Sequence, residues 1–432
     1  MSSAARPSIV RHQILATATM VAFLMYLDRI CLAQIITSDS FEAEFTFSKQ
    51  QTDWITGAFF WSYALFQVPA GWLSDRFGAR TLITVYIAAW SLFTAATGFA
   101  TGFWTLFFAR LLCGLAEAGY YPASSSLITR WTHIGSRGMA SSIITLGGRA
   151  GLVLAPILTV KVIMGFGDWR WAGWVYGAAG VGVALFFWRV FRDHPRLHPN
   201  CNDAEIELLA EGRGDFQPQR EPARRFPLRA ACRSRSLWMA NAVQFFTNIG
   251  WAFTALTFPR YLKDVKHFDD VTNGWITSGA LFIGIGGIIV GGWSTDFITR
   301  HHGRRLGRML PMSITKFIAA GLYIVALWMD TPWTILLAFG MVAFFGDFGL
   351  PAMWTTMQDI SGKYQAQLFG WSNMWGNFGA AIMPLLFTAV LDRYDTNNDF
   401  HEGVWLCAVA FVLAGFFALF VNAEKPVTPV EA

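Results

Sequence analysis

Charge is scarce in this chain. Only 14% of its 432 residues are Asp, Glu, Lys or Arg, against 54% hydrophobic and 16% aromatic, and the mean hydropathy is +0.39. Soluble globular chains carry about 25% charged residues, so the composition indicates an all-α, polytopic membrane protein. The formal net charge of +5 and pI near 9.0 do not point to nucleic acid, because the basic residues are scattered through short loops. The five cysteines, Cys31, Cys113, Cys201, Cys232 and Cys407, form no CxxC pair, which argues against a zinc site or a disulfide framework. The eight histidines show no ligand or triad spacing beyond the adjacent His301 and His302, so no metal, no cofactor and no enzymatic activity are expected. No Walker pattern occurs, which disfavours ATP drive. A cleavable signal peptide is not expected either, since the first apolar run, Gln13 to Ile36, is too long for one and contains Asp28 and Arg29.

What is abundant is long apolar runs. A membrane-spanning helix needs roughly 20 apolar residues, and such runs lie near 13–37, 52–73, 81–100, 103–130, 137–163, 171–191, 237–262, 272–297, 309–329, 332–357, 365–391 and 402–422. Twelve helices follow. Alternate loops hold Arg76 and Arg80, Arg130 and Arg137, the 189–235 segment, Arg300, Arg304, Arg305 and Arg308, and Lys363. The opposite loops hold Asp39, Glu42, Glu44, Asp264, Asp269, Asp270, Asp392, Asp395, Asp399 and Glu402. By the positive-inside rule both termini are cytoplasmic, in a plasma or inner membrane. The loop GWLSDRFGAR (71–80) has a counterpart in GGWSTDFITRHHGRR (291–305), with Asp75 and Asp296 in matching places. The expected plan is two pseudo-symmetric six-helix bundles, 1–192 and 236–432, joined by a polar cytoplasmic linker, 193–235, with one short amphipathic helix at 202–210.

The decisive feature is charge at membrane depth. Arg110 and Glu117 lie in one apolar span, two helical turns apart and therefore on one face. Asp28 and Arg29 lie mid-span in the first helix, and Arg149 in the fifth. An ionisable group in the bilayer is costly enough to be a functional-site candidate by default. A carboxylate's proton affinity rises on burial and falls beside a guanidinium, so Asp28 or Glu117 can exchange a proton. Arg forks onto carboxylates with paired hydrogen bonds, which makes Arg29 and Arg149 the anion anchors. The structural alternative is a set of fixed salt bridges tying the first half together, and it applies most to Arg110. Arg149 either adds a second anchor or neutralises Glu117.

The second half offers amides. Gln244 and Asn248 share a face of the seventh helix with Asn241, and Asn373 and Asn377 share one on the eleventh, a pattern suited to hydroxyl recognition or to interhelical packing. Asp347 and Trp354 on the tenth span add an acid and an aromatic platform. Tyr63 and Gln67, one turn apart on the second helix, are similar. At the cytoplasmic helix ends Asp75, Arg76 and Arg80, and Asp296 with Arg300, are read as gating charges that pair across helix termini. Glycine runs at 147, 148 and 151, and at 284, 286, 287, 291 and 292, are read as rocking surfaces.

Several stretches resemble a known family. G-x-L-x-D-R-x-G-x-R after the second span resembles the signature loop of the major facilitator superfamily. YLDR (26–29), SYALFQVPAGWLSDRFGAR (62–80), the Arg110 to Pro122 stretch, DWRWAGWVYGAAG (168–180) and RSRSLW (233–238) resemble its anion:cation symporter family, which includes bacterial sugar-acid carriers. The resemblance implies Arg29 at the substrate carboxylate, a substrate-side Tyr63, and Asp28, Arg110 and Glu117 in proton coupling. Arg149 departs from the pattern, where the span is usually uncharged. The expected function is proton-coupled symport of a small organic anion, a sugar acid such as a hexonate or hexuronate, by a monomer in the lipid bilayer. The alternative is a facilitator or exchanger of aromatic or dicarboxylic acids on the same fold.

Overall fold

The computed structural model describes residues 6–211, 226–394 and 400–428, apart from the side chains at positions 49, 255, 256, 270 and 271. Among these residues every regular element is a helix. Asp395, Asp399, the Asp270 side chain and the linker stretch 212–225, all used in the sequence reading, lie outside the described residues.

In the first half the spans are α1 (Val10–Ile36), α2 (Lys49–Phe77), α3 (Ala79–Thr97), α4 (Phe103–Glu117, continued by Tyr120–Trp131), α5 (Arg137–Phe166) and α6 (Arg170–Val190). The second half begins with α7, which runs Arg235–Ala252 and passes through a π turn, Phe253–Thr257, into Phe258–Asp264. One helical stretch, Asp270–Ala326, holds both α8 (270–302) and α9 (304–326), which meet at Gly303. There φ is 81°, a left-handed value that favours glycine. Then come α10 (Pro332–Phe348, continued by Leu350–Ile360), α11 (Gln365–Tyr394) and α12 (His401–Ala418). The chain thus has the twelve-span plan.

Local chemistry sets several helix ends. Ser48 and Gln51 form a reciprocal capping box at the start of α2, with bonds of 3.2 and 2.9 Å. Gly119 and Gly349 mark the interruptions of α4 and α10, each followed within three residues by a proline, which removes a donor from the helical ladder. Among the described residues eight helices are apolar and long enough to span a bilayer, one of them, Thr272–Ala326, at 55 residues long enough for two spans. The spans outside that set are α2, α4 and α7, the ones that carry Tyr63 and Gln67, Arg110 and Glu117, and Gln244 and Asn248. Polar content is concentrated where a solute site is expected.

The chain forms two compact units, Met1–Phe226 with Lys363–Gly370, and Pro227–Gly362 with Trp371–Ala432. Inside the first unit, glycines bring backbones together. A Cβ at Gly147 on α5 would stand 2.1 Å from the Thr19 carbonyl oxygen on α1, one at Gly114 on α4 would stand 2.3 Å from that of Phe59 on α2, and one at Gly177 on α6 would stand 2.7 Å from that of Ser91 on α3. Inside the second unit the same three pairings recur, through Gly379 on α11 against Phe245 on α7, Gly287 on α8 against Phe344 on α10, and Gly415 on α12 against Phe317 on α9. The glycine runs expected to be rocking surfaces therefore make contacts within a unit, where close approach braces the bundle.

The linker is anchored to α1. Asn202 caps the short helix Asp203–Ala210 by accepting from the Glu205 N–H at 3.0 Å. Glu205 itself is fully buried and accepts from the backbone N–H groups of Val10 (3.2 Å) and Arg11 (3.0 Å), from Arg11 Nη1 (2.9 Å) and from the Ser8 hydroxyl. A linker carboxylate thus caps the first transmembrane helix, where the helix dipole favours an anion. Burial works to raise the Glu205 pKa, but the bonds from Ser8 and Arg11 outweigh it and hold the carboxyl below its ordinary value of 4.5. Because the folded-state value is the lower, the latch contributes stability above that ordinary value and loses it as pH falls through the depressed one. Glu205→Ala is expected to lower stability at neutral pH by about 1–3 kcal/mol, the cost of leaving buried donors unpaired, and to flatten the acid limb of the melting profile. Equal melting of the two proteins in detergent at pH 7 would contradict the latch.

Candidate functional site

Within the first unit α1, α2 and α4 converge on Arg29. Its Nε and Nη2 both donate to Glu117 Oε2, at 3.1 and 2.8 Å. The Glu117 side chain is fully buried whereas that of Arg29 is 11% exposed, so the cation is the partner that reaches open space. Three rings enclose the guanidinium, whose carbon lies 4.5 Å from the centroid of Tyr63, 4.9 Å from Tyr26 and 5.1 Å from Phe59. Periodicity builds this cage. Tyr26 and Arg29 are one turn apart on α1, as are Phe59 and Tyr63 on α2, where their rings stack at 5.8 Å. Cation–π contacts are worth about 0.5–2 kcal/mol each, the more when desolvated, so the ring faces help to hold Arg29 in place beside its bonds to Glu117. The donors of those bonds can change partner.

Arg110 bonds the backbone of α1. It donates to the backbone carbonyls of Asp28 (3.3 Å) and Arg29 (3.1 Å), and its guanidinium carbon lies 5.0 Å from the Phe59 ring. It therefore fastens α4 to the backbone of α1 at the residue that carries the anchor. Asp28 is fully buried, and among the described residues neither carboxylate oxygen has a donor within hydrogen-bonding distance. The Glu117 carboxylate, the Trp90 indole and the Arg110 guanidinium are among the groups around it. Arg149 is nine-tenths buried on α5, which closes on the cage, since a Cβ at the preceding Gly148 would stand 2.7 Å from Tyr26 Cε2. Asp28, Arg29, Tyr63, Arg110 and Glu117 are thus brought together, with Arg149 on the adjoining helix. The sequence reading missed Tyr26 and Phe59 as cage walls, although their one-turn spacing from Arg29 and Tyr63 was visible.

Inside the second unit, Gln244 Nε2 reaches Asn373 Oδ1 at 3.5 Å, Asn248 donates to the Gln244 carbonyl at 2.8 Å, and Asn377 donates to that of Asn373 at 2.8 Å. A Cβ at Gly376 would touch both Gln244 and Asn248. The amides of α7 and α11 therefore form one polar seam. Trp354 is 6% exposed, packed into the lower half of α10, while Asp347, above the interruption, is half-buried.

At the other end of the first unit Asp75 bonds backbone instead of the guanidinium that was expected. Its carboxylate accepts from the N–H groups of Ala366 and Gln367, each at 3.1 Å, capping the first turn of α11. Arg76 is exposed and lies over Trp72 and Phe77, at 5.2 and 5.1 Å. Arg80 donates twice to the Trp188 carbonyl, at 3.1 and 2.7 Å, and stacks on that ring at 4.0 Å. In the second unit Asp296 is buried and Arg300 is exposed. The buried ion pair near this end joins Arg308 to Asp359 at 3.0 Å, with Arg308 also donating to Thr299. It joins two residues far apart in sequence, and nothing in their spacing marks it.

Twelve helical spans with charge buried among them define a polytopic membrane protein. The Major Facilitator Superfamily pattern matches residues 18–384, and the chain belongs to that superfamily of transporters. It is 28% identical to a Bacillus subtilis (strain 168) protein named "Probable galactarate/D-glucarate transporter GudP", over 99% of this chain and 95% of that one. It is 28% identical to the "D-galactonate transporter" of Escherichia coli O6:H1, over 98% and 99%, and 27% identical to a "Probable sulfoacetate transporter SauU" of Cupriavidus necator, over 95% and 94%. Its fold matches the crystal structure of the superfamily transporter FucP, described as in the outward conformation, with TM-score 0.72, 13% identity and coverage of 96% of this chain and 99% of that one.

Removing one partner of a buried ion pair costs about 3–5 kcal/mol because the other charge is left uncompensated. Arg29→Ala should therefore destabilise the protein by about that much, and adding Glu117→Gln should restore a large part of the loss. Strictly additive shifts in a double-mutant melting series would show that the two side chains do not act as a pair.

Proposed function

We propose that this transporter carries a small sugar acid across the membrane together with a proton, using Arg29 as carboxylate anchor and Glu117 as coupling acid. The observation that carries the reading is the buried Arg29–Glu117 pair. While Glu117 is ionised it occupies the donors of Arg29. A proton on Glu117 cancels the attraction and frees the fork, which then takes the substrate carboxylate with paired hydrogen bonds. Proton and anion thus load together, and loss of the proton returns Arg29 to Glu117 and expels the anion. Asp28, one residue away and faced by Arg110, is the second carboxylate of the cluster. Tyr26, Phe59 and Tyr63 keep the guanidinium in place during the exchange, and Arg149 adds positive potential.

Sugar acids are favoured as the class because relatives that align over almost their whole length are named for galactarate, D-glucarate and D-galactonate. The amide seam of Gln244, Asn248, Asn373 and Asn377 suits the hydroxyls of such a molecule, and Trp354 on α10 is the aromatic candidate. The chain works as a monomer in a plasma or inner membrane with both termini cytoplasmic, through alternating access of two halves, 1–192 and 236–432. Asp75, Arg76, Arg80, Asp296 and Arg300 act at the cytoplasmic gate. One proton per monoanion is electroneutral. Each further proton adds about 2.3 kcal/mol per 100 mV of membrane potential.

The test uses proteoliposomes with D-galactonate, D-glucarate and galactarate. Glu117→Gln is expected to abolish accumulation driven by a pH gradient while leaving counterflow exchange intact, and Arg29→Ala to abolish both. Uphill uptake by Glu117→Gln at the parental level would remove Glu117 from the coupling role.

A further inference from the structure

The turn between the second and third helices of each half is built on a left-handed glycine, and the two copies treat their cations differently. Between α2 and α3 the glycine is Gly78, with φ 86°, and between α8 and α9 it is Gly303, with φ 81°. Arg80 stands two residues past the first glycine and Arg305 two residues past the second. Arg80 is satisfied inside its own unit, by two bonds to the Trp188 carbonyl at 3.1 and 2.7 Å and by that ring at 4.0 Å. Arg305 and its neighbour Arg304 are exposed, and among the described residues neither has a hydrogen bond, an ion pair or a ring contact. Arg300, at the end of α8, is exposed as well. The acid that approaches this turn is Glu424, whose Oε1 would stand 3.8 Å from a Cβ at Gly303, so the turn keeps a net positive charge.

The end of α8 sets an apolar face beside that charge. Trp293, Phe297 and His301 follow one another at four-residue intervals and lie on one side of the helix. Their rings form a ladder, Trp293 to Phe297 at 5.4 Å and Phe297 to His301 at 4.4 Å, and His301 Nδ1 lies 2.8 Å from the Phe297 carbonyl oxygen. Trp293 is 57% exposed and Phe297 46%. On a membrane-spanning helix an exposed apolar face meets acyl chains, and tryptophan near the helix end belongs at the headgroup layer. Arg304 and Arg305 follow His301 by three and four residues, across the glycine turn. Each basic residue close to an anionic lipid surface strengthens attachment about fivefold.

We propose that the Trp293–Phe297–His301 ladder and the Arg304 and Arg305 guanidiniums form a binding site for one anionic glycerophospholipid, with its acyl chains along the ladder and its phosphate on the two arginines. The two parts of the surface match the two parts of that ligand. A free phosphate has nothing to lay against the rings, and a zwitterionic headgroup brings its own cation to compete with the guanidiniums. Arg forks onto phosphate oxygens with paired hydrogen bonds, so the lipid gives Arg305 the partner that the Trp188 carbonyl gives Arg80. The site shares no residue with the Arg29 cluster and does not depend on proton coupling.

The experiment titrates the full-length transporter, stripped of lipid in detergent, with phosphatidylglycerol or phosphatidylcholine and reads the first bound lipid by native mass spectrometry. The variants are Arg304→Gln/Arg305→Gln, Arg304→Lys/Arg305→Lys, Trp293→Ala/Phe297→Ala, and the control Arg189→Gln/Arg196→Gln, which removes the same charge from exposed positions of the first unit. The parent should prefer phosphatidylglycerol. The Arg304/Arg305 glutamine pair should bind it about thirtyfold more weakly, the loss of two basic groups at an anionic surface, while the lysine pair and the control stay near the parent. The alanine pair should weaken both lipids and leave the preference for phosphatidylglycerol in place. Parental affinity in the glutamine pair, an equal loss in the control, or displacement of phosphatidylglycerol by glycerol 3-phosphate at matching concentration overturns the proposal, the last because it marks a site for a free anion.

Discussion

A guanidinium and a carboxylate held in oil constrain everything else in this molecule. Burying an unpaired charge costs several kcal/mol after relaxation, so Arg29 and Glu117 need each other, or a replacement for each other, in every state. That requirement is what can make the pair a coupling device. A proton is a replacement partner for the acid, and a carboxylate substrate is one for the base. Supplying both at once is the low-energy exchange. The aromatic cage of Tyr26, Phe59 and Tyr63 and the Arg110 clasp on the α1 backbone keep the anchor from moving as its partner changes.

The bundles are built to hold such a site rigidly. Backbone-to-backbone approach at Gly147, Gly114 and Gly177 ties the first unit in three helix pairs; in the second, Gly379 and Gly287 do the same for two of the corresponding pairs, and Gly415 seats the Phe317 ring in the third. Small residues serve this purpose in membranes because packing replaces the hydrophobic drive available in water. The fourth helix of each unit is likewise interrupted at a glycine followed within three residues by a proline, Gly119 and Pro122 in α4, Gly349 and Pro351 in α10.

Much of the fold was legible in the sequence because hydrophobic run length is a direct readout of bilayer thickness. The junction of α8 and α9 was read as a loop. It is a single left-handed glycine, Gly303, and runs of charge on both sides of it look like a loop in sequence. Within the site, the residues were legible and their pairing was not. The sequence offered Arg149 as the group that neutralises Glu117, but its bonded partner is Arg29, 88 residues away, and only tertiary packing of α1 on α4 brings it there. Asp75 was expected to face a guanidinium and instead caps α11, since backbone N–H groups at a helix start leave no trace in sequence.

The central claim is that anion binding and protonation of Glu117 are one event. Infrared difference spectroscopy of the purified transporter on addition of D-galactonate at neutral pH tests it most directly. The account predicts a protonated carboxylic C=O band that appears with ligand and is absent in Glu117→Gln. A ligand-induced spectrum without that band, or one that persists unchanged in Glu117→Gln, would contradict it.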